Sequence, residues 1–242
     1  MNKIKNKLLV MSGKGGVGKT TIAVNLTSAL AIKGKKVGIL DVDIHGPNVP
    51  KMLKLEDKKL SSNSNKIIPL TTKDNIKVVS MAFLIQKSDA VIWRGPMKHN
   101  VIKQFIEDVD WGELDYLVID FPPGSGDECI SISQLLKDIT GSIIITTPQK
   151  ISLIDVVRSI DFCKKVNIPI IGVIENMSGD IFGRETAKDF AVEHNVDYLG
   201  SLEIDKEVSR SGDSGVPFVN NNYKLSKDFN KVVDKIISYC KK

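Results

Sequence analysis

The sequence predicts an α/β fold in which a single domain, residues 1–242, is built on a doubly wound, mostly parallel sheet with helices on both faces. Three observations support this prediction. Apolar runs of strand length, such as 7–10 and 114–120, alternate with segments of helical spacing, such as 22–33 and 151–165. A glycine-rich loop joins the first strand to the first helix. The 242 residues show no internal repeat or linker and suffice for one large α/β domain.

The glycine-rich loop at residues 13–20 matches the pattern G-x-x-x-x-G-K-[ST], which predicts the P-loop NTPase fold. Glycines permit backbone angles closed to other residues and let amide groups approach an anion. We expect Lys19 to reach the β- and γ-phosphates and the Thr20 hydroxyl to bind Mg²⁺. A chance glycine-rich turn is the alternative, and the flanking strand and helix argue against it. The predicted ATP-binding residues of the loop are Gly13, Lys14, Gly15, Gly16, Val17, Gly18, Lys19, Thr20 and Thr21.

Acidic residues follow two further predicted strands, where parallel-sheet proteins place ligand-binding groups. Asp41 and Asp43 follow one strand and are expected to point toward the phosphate site, unless they are ordinary strand-end aspartates. Asp120 ends another strand and is expected to hold Mg²⁺, directly or through a water. The loop after it is pinned by prolines and freed by glycines. This arrangement suits a γ-phosphate sensor, in which Gly126 and Asp127 report whether ATP or ADP is bound.

Several other segments carry weaker predictions. Residues 56–72 are polar and are expected to form a mobile excursion from the core. The helix at 151–165 is expected to carry one apolar stripe, and the stretch 212–219 is expected to be a loop. The tail, 225–239, has amphipathic helical spacing, so a membrane-surface helix competes with a core-packing helix. Core packing is favoured because aspartates share its polar surface. The apolar stripe of the helix at 151–165 consists of Ile151, Ile154, Val157 and Ile160. In a separate segment, Trp93 is interpreted as a buried anchor and Arg94 as its ion-pair partner.

Composition limits the classes of partner. The formal net charge of +5 comes from scattered lysines, which suits an anionic nucleotide but does not by itself argue for nucleic acid. No apolar run approaches the length of a membrane span, so a membrane partner is not expected. The three cysteines, Cys129, Cys163 and Cys240, are few and far apart, so a disulfide framework is not indicated. We therefore expect a reduced, cytoplasmic protein without a nucleic-acid partner.

Taken together, the motifs resemble those of the Mrp family of ATPases, the Mrp/ApbC branch of the ParA/MinD group. A lysine at position 14, inside the phosphate loop, is typical of the whole group. The resemblance runs from residue 7 to the C-terminus. It is carried by Gly-Lys-Gly-Gly-Val-Gly-Lys-Thr-Thr at 13–21, Asp-Val-Asp-Ile-His-Gly-Pro-Asn at 41–48, Trp-Arg-Gly-Pro-Met at 93–97, Asp-Phe-Pro-Pro-Gly-Ser-Gly-Asp at 120–127, Glu-Asn-Met-Ser at 175–178 and Gly-Asp-Ser-Gly at 212–215.

The resemblance implies a slow ATPase that uses Mg²⁺ and works as a homodimer across the nucleotide site. It implies that Lys14 crosses the dimer interface to the partner's nucleotide and that Asp43 orients the attacking water. It also implies that Asn176 contacts adenine, and we expect Pro217, near the end of the loop at 212–219, to cover the ring. The inferred family role is to bind a [4Fe–4S] cluster and pass it to apoprotein clients, with iron–sulfur scaffold proteins as possible partners.

One family feature is missing. Typical members carry Cys-x-x-Cys shortly after Glu-Asn-Met-Ser, and paired subunits would supply four thiolates to a bridging cluster. Here Ser178 is followed by residues 179–183, Gly-Asp-Ile-Phe-Gly, with no cysteine. Cys129 is a candidate ligand because it lies near the predicted sensor, although a structural cysteine is the alternative. Two other functions therefore stay open: a MinD/ParA-like positioning ATPase acting on membrane or DNA, and an ATP-gated adaptor without a cluster.

Overall fold

The computed structural model describes residues 1, 3–63, 66–84, 95–184 and 186–241, without the side chains of 95–98. Its strands are β1 Ile4–Met11, β2 Val37–Asp41, β3 Ser61–Asn63, β4 Lys66–Ile68, β5 Leu70–Thr71, β6 Lys77–Ser80, β7 Leu114–Asp120, β8 Gly141–Thr146, β9 Ile170–Ser178 and β10 Tyr198–Glu203. Its α-helices are α1 Lys19–Ile32, α2 Val49–Met52, α3 Gly95–Glu107, α4 Asp127–Leu135, α5 Lys150–Lys165, α6 Thr186–Glu193, α7 Lys206–Ser214 and α8 Lys224–Tyr239. Short 3₁₀ turns lie at Met81–Leu84 and Phe218–Asn220.

The central sheet has eight strands in the order β10-β9-β8-β1-β7-β2-β6-β5. Every neighbouring pair from β10 to β6 is parallel, and only β5 is antiparallel to its neighbour. The strand order reverses around β1, so crossover helices cover both faces of the sheet. The predicted doubly wound, mostly parallel α/β fold is confirmed.

Two apolar cores flank the sheet because successive side chains of a strand point to opposite faces. On β1, Leu8 and Val10 face one core, whereas Leu9 and Met11 face the other. Helices α1 and α8 fill the first core, and α3, α4, α5 and α6 fill the second. The phosphate loop between β1 and α1 therefore follows a strand whose last five residues, 7–11, are all buried.

The C-terminal helix α8 packs its apolar face into the first core. Phe229 is fully buried and meets Phe218 edge to face, with ring centroids 5.5 Å apart. The core-packing interpretation of the tail is thereby confirmed, because the apolar stripe that a membrane surface would need is already covered. No helix within the described ranges is long and apolar enough to cross a bilayer. The other buried residues of this stripe are Leu225, Val232, Val233, Ile236 and Ile237.

Helix α5 differs from its predicted pattern. Ile160 is buried, but Ile151 and Ile154 are 69% and 58% exposed. The buried face begins instead with Ser152 and continues through Val156. Ser152, Val156 and Cys163 share the buried face of the helix, whereas positions 151 and 154 lie on another face. Helix α5 also comes close to the phosphate loop, where a Cβ on Gly13 would overlap backbone and side-chain atoms of Asp155. The prediction of a single stripe was wrong for positions 151 and 154.

Two other segments contain regular structure that the sequence interpretation did not include. Within the polar segment 56–72, β3 and β4 pair as an antiparallel hairpin and β5 extends the main sheet. The backbone of Ile67 also pairs with Asp108 and Asp110, which anchors the hairpin to the chain beyond α3. Residues 212–214, predicted as loop, belong to α7, which ends at Gly215 in the left-handed conformation. Trp93 and Arg94 lie outside the described residues.

Candidate functional site

The phosphate loop lies at the carboxyl edge of the central strands, where β1 is flanked by β7 and β8. Gly16 and Gly18 have φ angles of 81° and 85°, a region that favours glycine. Gly15 and Gly16 are exposed, whereas Val17 is buried beneath the loop. Helix α1 begins directly at Lys19, so its first amide groups point into the loop. The described backbone thus has the form of an anion cradle.

Lys19 is the centre of the charged cluster beneath the loop. Its Nζ lies 2.7 Å from Asp120 Oδ1 and 3.5 Å from Asp43 Oδ2, and the side chain is only 6% exposed. Thr20 Oγ1 donates to the other oxygen of Asp120 at 2.7 Å. Burial lowers the pKa of Lys19, but the carboxylates around it outweigh burial and raise that pKa above its ordinary value. Lys19 is therefore positively charged. The structure thus brings together the four side chains that the sequence placed at the phosphates and the metal, which are Lys19, Thr20, Asp43 and Asp120.

The loop after β2 orients Asp43. Its Oδ1 accepts hydrogen bonds from the amides of His45 at 3.1 Å and Gly46 at 3.2 Å, which leaves Oδ2 directed at Lys19. Asp41, two residues earlier, is completely buried. Burial and the neighbouring charge of Asp120 raise the pKa of Asp41 to about 8. The two aspartates of the motif therefore have different surroundings, and only Asp43 reaches the lysine.

The proline- and glycine-rich loop after β7 is attached to the phosphate loop. The amide of Gly124 donates to the Ser12 carbonyl at 2.8 Å. Gly126 is the N-cap of α4, and Asp127 is the exposed first residue of that helix. His45 Nε2 lies 3.5 Å from Glu128 Oε1, which connects the loop after β2 to α4. Both predicted sensor residues thus lie beside the site, and their sensing role stays a prediction.

A cavity of about 440 Å³ opens beside the phosphate loop, bordered by Gly18, Thr20 and Thr21. Asn176 lines it and donates from Nδ2 to the Val17 carbonyl at 2.8 Å, so its amide also fastens the loop. Pro217 is buried and is not among the residues that line the cavity. The cavity is also lined by Met177 and by residues of α7 and of the segment before it, to which the sequence interpretation gave no role in binding. Among these residues are Ile204, Asp205, Val208 and Gly212.

Lys14 is half-buried in the exposed part of the phosphate loop. Its carbonyl accepts a hydrogen bond from Ser12 Oγ at 2.9 Å, which fixes the backbone at this point. The predicted contact of its ammonium group with a second subunit stays a prediction.

The cysteines are poorly placed as ligands of a metal cluster. Cys129 is 1% exposed, and its Sγ lies 3.5 Å from the Gly124 carbonyl. Burial raises the pKa of the Cys129 thiol to about 11, so the thiolate that binds iron is disfavoured. Cys163 is also buried, and Cys240 is half-buried at the end of α8. Across the described part of the chain, no group of three or more His, Cys, Asp or Glu side chains could hold a metal ion.

The segment that follows β9 is a short closed loop. Gly179 and Gly183 exchange backbone hydrogen bonds of 2.9 and 2.8 Å. Ile181 stands at its tip and is 75% exposed. The loop thus presents an apolar side chain and no thiol where the resemblance leads one to expect Cys-x-x-Cys.

Comparison with known proteins agrees with this geometry. An iron-sulfur cluster carrier protein of Methanocaldococcus jannaschii is 49% identical over 248 residues, which cover 98% of this chain and 86% of the relative. A nucleotide-binding protein from Archaeoglobus fulgidus, solved in complex with ADP, is 34% identical over 88% of each chain with a TM-score of 0.78. The septum site-determining protein MinD of Pyrococcus horikoshii, solved with Mg-ADP, has the same TM-score at 23% identity over 96% of this chain and 95% of that one, which shows a shared fold.

The family profile described as ParA, NUBPL iron-transfer P-loop NTPase, matches residues 3–237. This match spans nearly the whole chain and includes every element of the site. The resemblance inferred from the motifs is thereby confirmed, and the chain belongs to the ParA/NUBPL family of iron-transfer P-loop NTPases.

Proposed function

We propose that this protein is a homodimeric, Mg²⁺-dependent ATPase that acts in the assembly of iron–sulfur clusters or their transfer to apoproteins. The observation that carries the proposal is the buried cluster of Lys19, Thr20, Asp43 and Asp120 directly beneath the phosphate loop. A lysine, a metal-binding hydroxyl, a metal-binding carboxylate and a second carboxylate are the groups that phosphoryl transfer to water requires. The similarity to an iron-sulfur cluster carrier protein supports the proposed role in the assembly or transfer of iron–sulfur clusters.

Nucleotide binding redistributes the bonds of this cluster. Lys19 exchanges its ion pair with Asp120 for the β- and γ-phosphates, which the loop amides also contact. Thr20 and Asp120, which are hydrogen-bonded to each other at 2.7 Å, would hold Mg²⁺, and the ion would neutralise phosphate charge. Asp43, fixed through its Oδ1 by two amides, would orient the attacking water through Oδ2, the oxygen that faces Lys19. Catalysis by these residues is positioning and electrostatics.

The cavity beside the loop is the proposed site of the nucleoside. Asn176 Nδ2 is already bonded to Val17, so its Oδ1 is the atom available to accept from the amino group of adenine. Lys14 is assigned to the phosphates of the partner subunit. Dimerisation then completes each site with one further positive charge.

The cargo of the dimer is a cluster bound transiently as substrate. The buried Cys129 and Cys163 argue that this chain alone offers too few thiolates for a bridging cluster. A second candidate function is therefore an ATP-gated adaptor whose partner protein supplies the thiolates.

The ATPase assignment is tested by replacing Lys19 with methionine, which keeps most of the buried stem but removes the charge. We expect hydrolysis to fall to background. A matched control is Lys7→Met, because Lys7 is also buried on β1 but donates to the Lys137 carbonyl, away from the phosphates. Unimpaired hydrolysis by the Lys19 variant would overturn the site assignment.

Anaerobic incubation with iron and sulfide tests the cargo. Cluster carriage predicts retained iron and sulfide in stoichiometric amounts, with loss to an added apoprotein in the presence of ATP. A protein that retains neither, yet captures partners in ATP and not in ADP, is the adaptor. The Cys129→Ala variant decides whether that thiol takes part.

A further inference from the structure

Asp41 is a buried carboxylate that the proposed reaction does not use directly. It has no solvent exposure. Its Oδ2 accepts from the Ser80 hydroxyl at 2.7 Å and from the Val49 amide at 3.4 Å, and its Oδ1 accepts from the Asp43 amide at 3.1 Å. One carboxylate thus bonds to both ends of the loop that carries Asp43.

Ser80 reaches Asp41 because of strand register. In the sheet, β2 lies between β6 and β7, and Asp41 is the register partner of Ser80 on one side and of Asp120 on the other. The Ser80 oxygen also accepts from the Ala82 amide at 3.1 Å, which fixes the direction in which its hydroxyl donates. The serine is itself completely buried. Its hydroxyl has two hydrogen-bond partners, Asp41 as acceptor and the Ala82 amide as donor, and only Asp41 leads to the loop that carries Asp43.

The loop between Asp41 and Val49 is also held near its start, where the Val42 amide donates to the Asp120 carbonyl at 3.1 Å and the side chains of Val42 and Ile44 are buried in the second core. Asp43 is oriented by the amides of His45 and Gly46, which belong to the same loop and move with it. Asp41 adds a side-chain attachment that joins both ends of the loop, at Asp43 and Val49, to the end of β2. A shift of the loop would change the distance between Asp43 Oδ2 and Lys19, now 3.5 Å.

We propose that Ser80, through its hydrogen bond to Asp41, is a positioning residue that holds Asp43 at the geometry required for hydrolysis. This inference rests on the proposed ATPase function. Removing the hydroxyl deprives a buried carboxylate of its shortest donor, so Asp41 must turn toward other donors or relax with the loop. The reacting phosphate is bound by the phosphate loop and Lys19, which Ser80 does not contact. The effect is therefore expected in kcat and not in KM.

The test compares Ser80→Ala with Ser142→Ala. Ser142 is also completely buried on a strand of the same sheet, and its hydroxyl lies 3.2 Å from the Pro169 carbonyl, distant from the loop. We expect Ser80→Ala to lower kcat for ATP by about 10- to 100-fold with little change in KM, as for lost outer-shell partners and displaced catalytic groups. Ser142→Ala should keep the wild-type kcat. Ser80→Thr retains the hydroxyl and should restore most of kcat.

A double variant separates positioning from general destabilisation. If Ser80 acts through Asp43, then adding Ser80→Ala to Asp43→Ala should lower the residual single-turnover rate no further. An additional 10-fold loss in that background, or an unchanged kcat in Ser80→Ala alone, would overturn the inference. A wild-type protein without ATPase activity would instead overturn the proposed function, so the two failures are distinguishable.

Discussion

The Gly18→Ala substitution probes the contact between the phosphate loop and the nucleoside cavity. Gly18 has a φ of 85°, and a Cβ added there would overlap the Nδ2 atom of Asn176. Asn176 is the far end of a side chain, so it can rotate away. In doing so it loses its 2.8 Å hydrogen bond to the Val17 carbonyl. The alanine therefore disturbs the loop in two separable ways.

The magnitude follows from these two effects. An alanine held at positive φ costs on the order of 1 kcal/mol, and the lost hydrogen bond about 0.5–1.5 kcal/mol. We expect the free energy of unfolding, measured by urea denaturation without nucleotide, to fall by about 2 kcal/mol. The displaced Asn176 should also weaken binding of a fluorescent ATP analogue.

Gly16→Ala is the matched control for the free-energy cost of placing an alanine at positive φ. Gly16 has a φ of 81°, and a Cβ there meets nothing within 4 Å. It should lose only about 1 kcal/mol. In an Asn176→Ala background the excess cost of Gly18→Ala should vanish, because the overlapping group is gone. Equal losses for the two glycine variants in the wild-type background would refute the proposed clamp between Asn176 and the loop.

Three further predictions concern the rest of the chain. Phe229→Ala should reduce the free energy of unfolding by about 3–5 kcal/mol, whereas the 79% exposed Val192→Ala should change it by less than about 0.5 kcal/mol; similar losses would contradict the α8 packing. The hydrogen bond from Lys5 holds the pKa of Asp115 below its usual value, so its stabilisation exists above the unfolded pKa of about 4 and is lost as pH falls. The stability difference between wild type and Asp115→Asn, about 0.5–1 kcal/mol at neutral pH, should therefore shrink in acid, and a difference that grows there would be inconsistent. Maleimide should label Cys129 only after unfolding, as read by mass spectrometry, and rapid native labelling would disprove its burial.

Much of the site could be predicted because most of its functional residues lie within short, contiguous segments of the chain. The phosphate loop needs glycines, Lys19 and Thr20 at fixed spacing, and all lie within one strand–loop–helix unit. Asp43 and Asp120 are far apart in the chain, but parallel strands bring their carboxyl ends to one edge. The packing of the C-terminal helix was predictable because its apolar residues recur at helical spacing and can be buried against the core.

Other parts depended on contacts that no local pattern encodes. The cavity beside the phosphate loop is lined in part by Asp205 and Val208, which α7 and its N-cap bring to the loop. The exposure of Ile151 and Ile154 depends on which face of α5 packs against the sheet. Helical periodicity reports which residues share a face, but not how near the neighbouring backbone comes.

The sequence by itself therefore determined the fold class, the phosphate loop and the cluster of Lys19, Thr20, Asp43 and Asp120, because local spacing and strand-end placement are enough to specify them. It also determined that the cysteine pair expected after β9 is missing. Only the tertiary structure decided that Cys129 is buried and that Ser80 meets Asp41. The burial of Cys129 depends on the packing of α4 in the second core. The contact of Ser80 with Asp41 depends on the register between β2 and β6, which brings together residues 39 positions apart.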